Sequence, residues 1–83
     1  LNMDLYIGNL PLNLDDSGLK KLVETYASVA KSKVILDKES NCSKGFGFVT
    51  ILDEKAAQNV INRLNGQILG EKKICVRKAY NKN

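Results

Sequence analysis

Hydrophobic and polar residues alternate most regularly in the middle of the chain, over the segment Lys44–Ile51. In a β-strand, alternate residues share a face, so Phe46 and Phe48 point to the same side, together with Lys44 and Thr50. The other side holds only small or apolar residues, as a face packed on helices should: Gly45, Gly47, Val49 and Ile51. The two rings predict either a flat ligand on an open sheet face or a strand that other parts of the chain cover on both sides.

Three further segments have the pattern of strands. They are Leu5–Leu10, Val29–Leu36 and Lys73–Ala79. Alternation assigns to their core faces Leu5, Ile7, Ser32, Val34, Leu36, Ile74 and Val76. The opposite faces then carry Tyr6, Lys31, Lys33, Ile35, Cys75 and Arg77.

Two segments show the apolar stripe of an amphipathic helix. Asp15 and Asp16 can cap the first helix, which continues to Tyr26. Asp53 can cap the second helix, which we expect over Glu54–Leu64. The stripes consist of Leu19, Leu22, Val23 and Tyr26 in the first helix and of Ala57, Val60, Ile61 and Leu64 in the second. Capping explains the acids at these helix starts without a catalytic pair.

The order of elements is therefore β-α-β-β-α-β, with a polar loop, Asp37–Ser43, between the second and third strands. Two helices can cover only one face of a four-stranded sheet. We expect an α+β fold, the ferredoxin-like βαββαβ sandwich with an antiparallel sheet and both helices on one face. In this topology the first and third strands are central, which places Tyr6 beside Phe46 and Phe48 on the open face.

Charge is distributed unevenly over these elements. The chain has 83 residues and a net charge of +4. The two helix segments hold four Lys/Arg and five Asp/Glu, whereas the remainder holds nine Lys/Arg and four Asp/Glu. Scattered solvated lysines are the ordinary explanation, but this segregation favours an anion-binding face opposite the helices.

Several classes of protein are disfavoured. There is no run of 18 apolar residues and no basic-then-apolar start, so we expect neither a membrane span nor a signal peptide. Cys42 and Cys75 lack metal-site spacing and the chain has no histidine, so we expect no metal, no cofactor and no catalytic residue. A disulfide between them has weak support; free thiols in a reducing, intracellular compartment are expected.

The chain starts at Leu1 and enters a strand almost at once. We expect residues 1–83 to form one domain, with its core at about residues 4–80, cut from a longer multidomain protein. The last residues, Asn81–Asn83, are expected to fray.

The segment Lys44–Ile51 resembles the octamer of the RNA recognition motif, K/R-G-F/Y-G/A-F-V-x-F/Y. Leu5–Leu10 is similar to the family's hexamer, an aliphatic-aromatic-aliphatic run that ends in Asn-Leu. The resemblance extends over about Asp4 to Tyr80 and includes Asn65-Gly66 after the second helix. Ile51 departs from the usual final aromatic of the octamer, and since it faces the core, it should affect packing rather than binding.

The resemblance implies a single-stranded RNA-binding surface. In the family, the ring of the hexamer and the second ring of the octamer stack on neighbouring bases, which are here Tyr6 and Phe48. The first octamer ring, Phe46, wedges against the sugars, and the opening Lys44 bonds a phosphate. Base edges are read by the flanking strands and the backbone after the last strand, which points to Lys33, Ile35, Arg77, Lys78, Ala79 and Tyr80. Tyr80 can stack on a base or fold back as a lid.

Other functions are open at this stage. A protein-binding member of the same fold and a single-stranded DNA-binding domain share most of these features, and a small enzyme or metal carrier is disfavoured. The resemblance implies a monomer that binds single-stranded RNA, acts with neighbouring domains of its chain and takes part in mRNA processing. It also implies an intracellular location, in the nucleus more than in the cytoplasm or in both.

Overall fold

The computed structural model describes residues 2–80, in which the elements follow the predicted order with two additional short strands. They are β1 (Met3–Gly8), α1 (Asp16–Glu24), β2 (Val29–Leu36), β3 (Ser43–Ile51), α2 (Glu54–Leu64), β4 (Ile68–Leu69), β5 (Lys72–Lys73) and β6 (Cys75–Lys78). The predicted fraying of Asn81–Asn83 lies outside the described residues.

The main sheet has the strand order β2-β3-β1-β6, and all its neighbouring strands are antiparallel. The prediction that the first and third strands form the central pair is confirmed. In the register of that pair, Tyr6 lies opposite Phe48 and Gly8 lies opposite Phe46. The ring-bearing positions of the hexamer and the octamer therefore meet at the centre of the sheet.

Both helices pack against one face of this sheet, so the α+β sandwich predicted from the sequence is confirmed. The core combines the inward residues of the strands with the helix stripes: Leu5, Ile7, Val29, Val34, Val49, Ile51, Ile74 and Val76 with Leu19, Val23, Ala57, Val60 and Leu64. Ile51 is 1% exposed, so the departure from the octamer lies in the core, as expected. The other sheet face carries no helix.

The helix starts are capped as the sequence predicts. The carboxylate of Asp15 accepts a hydrogen bond from the N–H of Gly18 at 2.8 Å, and that of Asp53 accepts one from Ala56 at 2.9 Å. Asp16 has a second function, because its carboxylate accepts a hydrogen bond from the N–H of Val34 in β2. This bond fixes the start of α1 to the edge strand. Neither helix in the described part of the chain is long and apolar enough to span a membrane.

Two details of the strand prediction are wrong. Leu36 was expected in the core, but it is 41% exposed, because the register of β2 shifts between Val34 and Leu36. The final strand was expected from Lys73, but Lys72–Lys73 instead pairs with Ile68–Leu69 in a small hairpin. The backbone of Gly70 has a φ of +67°, which suits the tight turn of this hairpin. The last strand of the main sheet is thus β6.

Candidate nucleic-acid interface

Three aromatic rings form a triangle at the centre of the open face. The ring centroid of Tyr6 lies 5.6 Å from that of Phe46 and 5.8 Å from that of Phe48, and the two Phe centroids are 6.0 Å apart. The cause is local: Phe46 and Phe48 are alternate residues of β3, and Tyr6 is the cross-strand neighbour of Phe48. Phe48 is 37% exposed, so it offers an apolar surface to solvent.

The Tyr6 ring lies flat over Gly8. A β-carbon built at Gly8 would collide with the hydroxyl and the ring carbons of Tyr6. Gly8 is buried although it belongs to the open face, because the ring covers it. The glycine of the hexamer therefore makes room for the ring that precedes it by two positions.

Arg77 lies beside Tyr6 on the outer strand β6, directly opposite it in register. Its guanidinium carbon is 4.4 Å from the centroid of the Tyr6 ring, a cation–π contact. This contact covers part of the Tyr6 ring on the open face. Sequence alternation predicted that both side chains share a face but not that they touch.

The lysines of the open face lie around the rings. Lys33 is the cross-strand neighbour of Phe48, and Lys31 is that of Thr50. Lys33 also makes an exposed ion pair with Asp16, at an N···O distance of 4.0 Å. Lys44 is exposed two positions before Phe46 on β3, and Ile35 is half-buried on β2.

The loop between β2 and β3 is held by Asp37. Its carboxylate accepts hydrogen bonds from the backbone N–H and the hydroxyl of Ser40, at 2.9 and 3.0 Å. These two bonds, the backbone one first, lower the pKa of Asp37 below its ordinary value. Lys44 contributes to the same shift through its charge.

At and after the end of β6, three successive residues differ in what they expose to the open face: Lys78, Ala79 and Tyr80. Lys78 lies opposite the buried Leu5, so alternation directs its side chain toward the helix side, and only its backbone faces the rings. The N–H of Ala79 donates to the carbonyl of Asp4 at 2.9 Å and is therefore already occupied. Tyr80 is 82% exposed and lines two neighbouring pockets together with Phe48.

One residue of the open face was missed by the sequence reasoning. Asp4 belongs to β1, two positions before Tyr6, and so shares its face. Its carboxylate accepts a hydrogen bond from the hydroxyl of Thr50 at 2.7 Å. The predicted strand began at Leu5; had it been extended by one residue, alternation would have placed Asp4 beside the rings.

Cys42 and Cys75 are both free and exposed. Cys75 lies opposite Gly8 in register, at the edge of the ring cluster. Within residues 2–80, no group of three His, Cys, Asp or Glu side chains could hold a metal ion. The side chains of this face can stack, form hydrogen bonds and form ion pairs.

A family model described as RNA recognition motif matches residues 5–75. The chain belongs to this family. The match covers both sequence motifs and the helices between and after them, so the resemblance seen in the hexamer and the octamer is confirmed. The three rings on the uncovered sheet face, Tyr6, Phe46 and Phe48, are therefore the aromatic residues of this family's hexamer and octamer.

Individual relatives agree with the family. The chain is 43% identical over 75 residues to the chloroplastic 29 kDa ribonucleoprotein of Arabidopsis thaliana, a match that covers 90% of this chain and 22% of the relative. It is 40% identical over 77 residues to glycine-rich RNA-binding protein 7 of the same plant, covering 93% of this chain and 44% of the relative. The chain thus spans less than half the length of either protein.

A solved structure is similar over its whole length. The crystal structure titled RNA Binding Protein PG1 has a TM-score of 0.91 and 34% sequence identity, and the match covers 98% of both chains. This RNA recognition motif therefore has the same arrangement of elements as an experimentally determined one.

Proposed function

We propose that this RNA recognition motif binds single-stranded RNA on the open face of its sheet. The observation that carries the proposal is the triangle of Tyr6, Phe46 and Phe48, whose centroids are 5.6–6.0 Å apart on a face without helices. Rings at the centre of an uncovered sheet face match the flat bases of an unpaired strand. The names of the relatives, a ribonucleoprotein and an RNA-binding protein, support the same ligand.

The central residues have distinct roles in this proposal. One base stacks on Tyr6 and the next on Phe48, the two rings that face each other across β1 and β3. Phe46 packs against the sugars between these bases. Lys44, exposed at the start of the octamer, pairs with a phosphate.

The outer residues complete the surface. Arg77 must move from the Tyr6 ring or extend its stack when a base arrives, since a guanidinium is itself a stacking partner for bases. Lys33 can turn from its exposed partner Asp16 toward the RNA at low cost, because such pairs contribute little. The half-buried Ile35 has an apolar side chain, so it distinguishes bases by their shape rather than by their hydrogen bonds. The remaining contacts come from the backbone and the ring at the end of β6, namely Lys78, Ala79 and Tyr80.

The size of this site predicts weak binding by one domain. Stacking contributes about 1–3 kcal/mol per base, and two or three bases leave roughly micromolar affinity after the costs of association. Such a domain gains affinity through linkage to others. We propose that residues 1–83 form one monomeric domain of a longer multidomain protein, which agrees with the longer relatives.

The proposed activity is binding rather than catalysis. An intracellular location follows from RNA as the ligand. The nuclear location and the role in mRNA processing stay predictions, and similar proteins named as chloroplastic do not support the nucleus.

An amide NMR titration with a degenerate single-stranded RNA pool tests this proposal. We expect shifts at Tyr6, at residues 44–50 and at residues 77–80, and their loss in the folded Phe46→Ala/Phe48→Ala variant. Ile68→Ala is the control, because it removes a side chain that is 68% exposed but lies in the hairpin outside the main sheet. An absence of shifts at near-millimolar RNA would contradict the proposal and favour a protein partner.

The salt dependence of binding tests the phosphate contacts separately. If about three phosphates are neutralised, log K falls with log salt at a slope of about −2, since each contact on a single strand contributes about −0.7. Isothermal titrations at several salt concentrations measure this slope. A slope near zero would refute the contribution of Lys44 and its neighbouring cations.

A further inference from the structure

The open face has a second row of side chains next to the rings. In the first row, Lys33, Phe48, Tyr6 and Arg77 follow one another across the sheet. In the second row, Lys31 on β2, Thr50 on β3 and Asp4 on β1 do the same. Asp4, Lys31, Thr50, Phe48 and Tyr80 line a pocket of about 640 Å³ between the two rows and the segment that follows β6. This volume is within the range of small-molecule sites, about 300–1,000 Å³.

Asp4 is held firmly at the floor of this pocket. The Thr50 hydroxyl donates to one carboxylate oxygen, Oδ1, at 2.7 Å, and the backbone carbonyl of Asp4 accepts from Ala79. Within residues 2–80, no group donates to the other oxygen, Oδ2, and no cation forms an ion pair with Asp4. The half-buried carboxylate therefore offers fixed and unused acceptor capacity to whatever enters the pocket.

A carboxylate is an unfavourable neighbour for phosphate on an RNA-binding face, because like charges repel. It is a favourable neighbour for a base edge that carries N–H donors. On its Watson–Crick edge, guanine presents two adjacent donors, N1–H and the N2 amino group, which match the two oxygens of a carboxylate. Adenine and cytosine present one amino donor next to a ring nitrogen acceptor, and uracil presents one imino donor between two carbonyl acceptors.

We infer that this pocket selects guanine, with Asp4 as the residue that determines the specificity. The base stacks between Phe48 and Tyr80 and directs N1–H and the N2 amino group to the Asp4 carboxylate. Lys31, on the opposite side of Thr50, donates to O6 or N7 of the same base, the acceptors that lysine and arginine bind on guanine. The inference rests on the proposed RNA-binding function and adds to it a base preference at one position.

Base substitution in the RNA tests this inference without any change to the protein. The probes are fluorescein-labelled pentamers of uridine in which the central nucleoside is guanosine, inosine, adenosine, cytidine or uridine. Fluorescence anisotropy measures their affinity at one salt concentration. We expect the guanine pentamer to bind about tenfold or more tighter than the uridine pentamer. Inosine lacks only the N2 amino group, and its pentamer should lie between the two.

A pair of charge-matched variants assigns the preference to Asp4. In Asp4→Asn we expect the guanine pentamer to lose its advantage over the uridine pentamer. Glu71→Gln changes the net charge equally but lies in the turn of the small hairpin, so it should keep the preference. A purely structural role of the Asp4–Thr50 pair would instead leave the preference unchanged in every folded variant.

The outcomes separate the two ideas. Equal affinity of all pentamers for the unmodified protein overturns the guanine pocket but leaves RNA binding intact. A guanine preference that persists in folded Asp4→Asn, or an inosine pentamer that binds as tightly as the guanine pentamer, also overturns it. An absence of binding to every pentamer overturns the proposed function together with the pocket.

Discussion

The substitution Gly8→Ala should displace the Tyr6 ring from its stacking position without removing any atom of the proposed binding surface. The new methyl group would occupy the space into which the Tyr6 hydroxyl and ring edge now fit. Gly8 does not have a positive φ, so alanine meets no backbone strain there. The colliding atoms are the far end of a side chain on an open face, and the ring can therefore swing away while the strand stays in place. We expect a folded domain with a displaced Tyr6.

The contacts of Tyr6 give the expected size of two effects, one on the free energy of unfolding and one on the RNA affinity. The displaced ring loses its partners Phe46, at 5.6 Å, and Phe48, at 5.8 Å, and its cation–π contact with Arg77, at 4.4 Å. Each aromatic pair contributes about 0.5–1.5 kcal/mol and the cation–π contact about 0.5–1 kcal/mol, so the free energy of unfolding should fall by about 1.5–4 kcal/mol. The RNA affinity loses the stack of one base, about 1–3 kcal/mol, which corresponds to roughly a 5- to 150-fold rise in Kd.

A double-mutant cycle on RNA affinity checks the mechanism. Fluorescence anisotropy with one labelled single-stranded RNA measures Kd for the unmodified protein, Gly8→Ala, Tyr6→Ala and the double variant, and thermal denaturation verifies that each is folded. Gly8→Ala should weaken binding in the presence of Tyr6 and have almost no effect in its absence. An equal loss in both backgrounds, or no loss in the first, would refute the view that Gly8 acts by making room for the ring.

Two further predictions concern other parts of the sheet. Gly47→Ala should lower the free energy of unfolding by about 1–3 kcal/mol. The reason is that the new β-carbon would collide with the backbone carbonyl of Lys33, which cannot move aside. Urea denaturation measures this loss, and an unchanged midpoint would contradict the prediction. The carboxyl group of Asp37 should titrate below pH 3.8 in an NMR titration, since hydrogen bonds from Ser40 lower its pKa, and Ser40→Ala should raise that midpoint. Because the folded pKa is depressed, the stabilisation of the loop is present above pH 3.8 and is lost as the pH falls through the folded pKa; a midpoint at or above 3.8 would refute this reasoning.

The sequence predicted the elements of this fold well because their signals are local. Alternation in Lys44–Ile51 and the capped stripe of Glu54–Leu64 each depend on residues within a few positions of one another. The errors occurred where pairing between strands decides the outcome. Leu36 follows the alternation of its own strand, but a register shift against β3 exposes it. Lys73 continues an apparent strand, but a turn at Gly70 pairs it with Ile68 instead.

In the candidate site, too, the sequence predicted what is local and missed what depends on pairing between strands. Which residues face outward follows from each strand alone, but which of them touch depends on the register of three strands that are far apart in the sequence. Arg77 covers Tyr6 only because β6 pairs with β1 so that these two residues are opposite one another. Asp4 is held by Thr50 for the same reason on the other side of β1. The ring triangle alone offers stacking, which every base can accept. Discrimination between bases therefore has to come from polar neighbours that the register brings beside the rings. We propose Asp4 for this role, because Thr50 fixes its carboxylate and, within residues 2–80, no group donates to Oδ2.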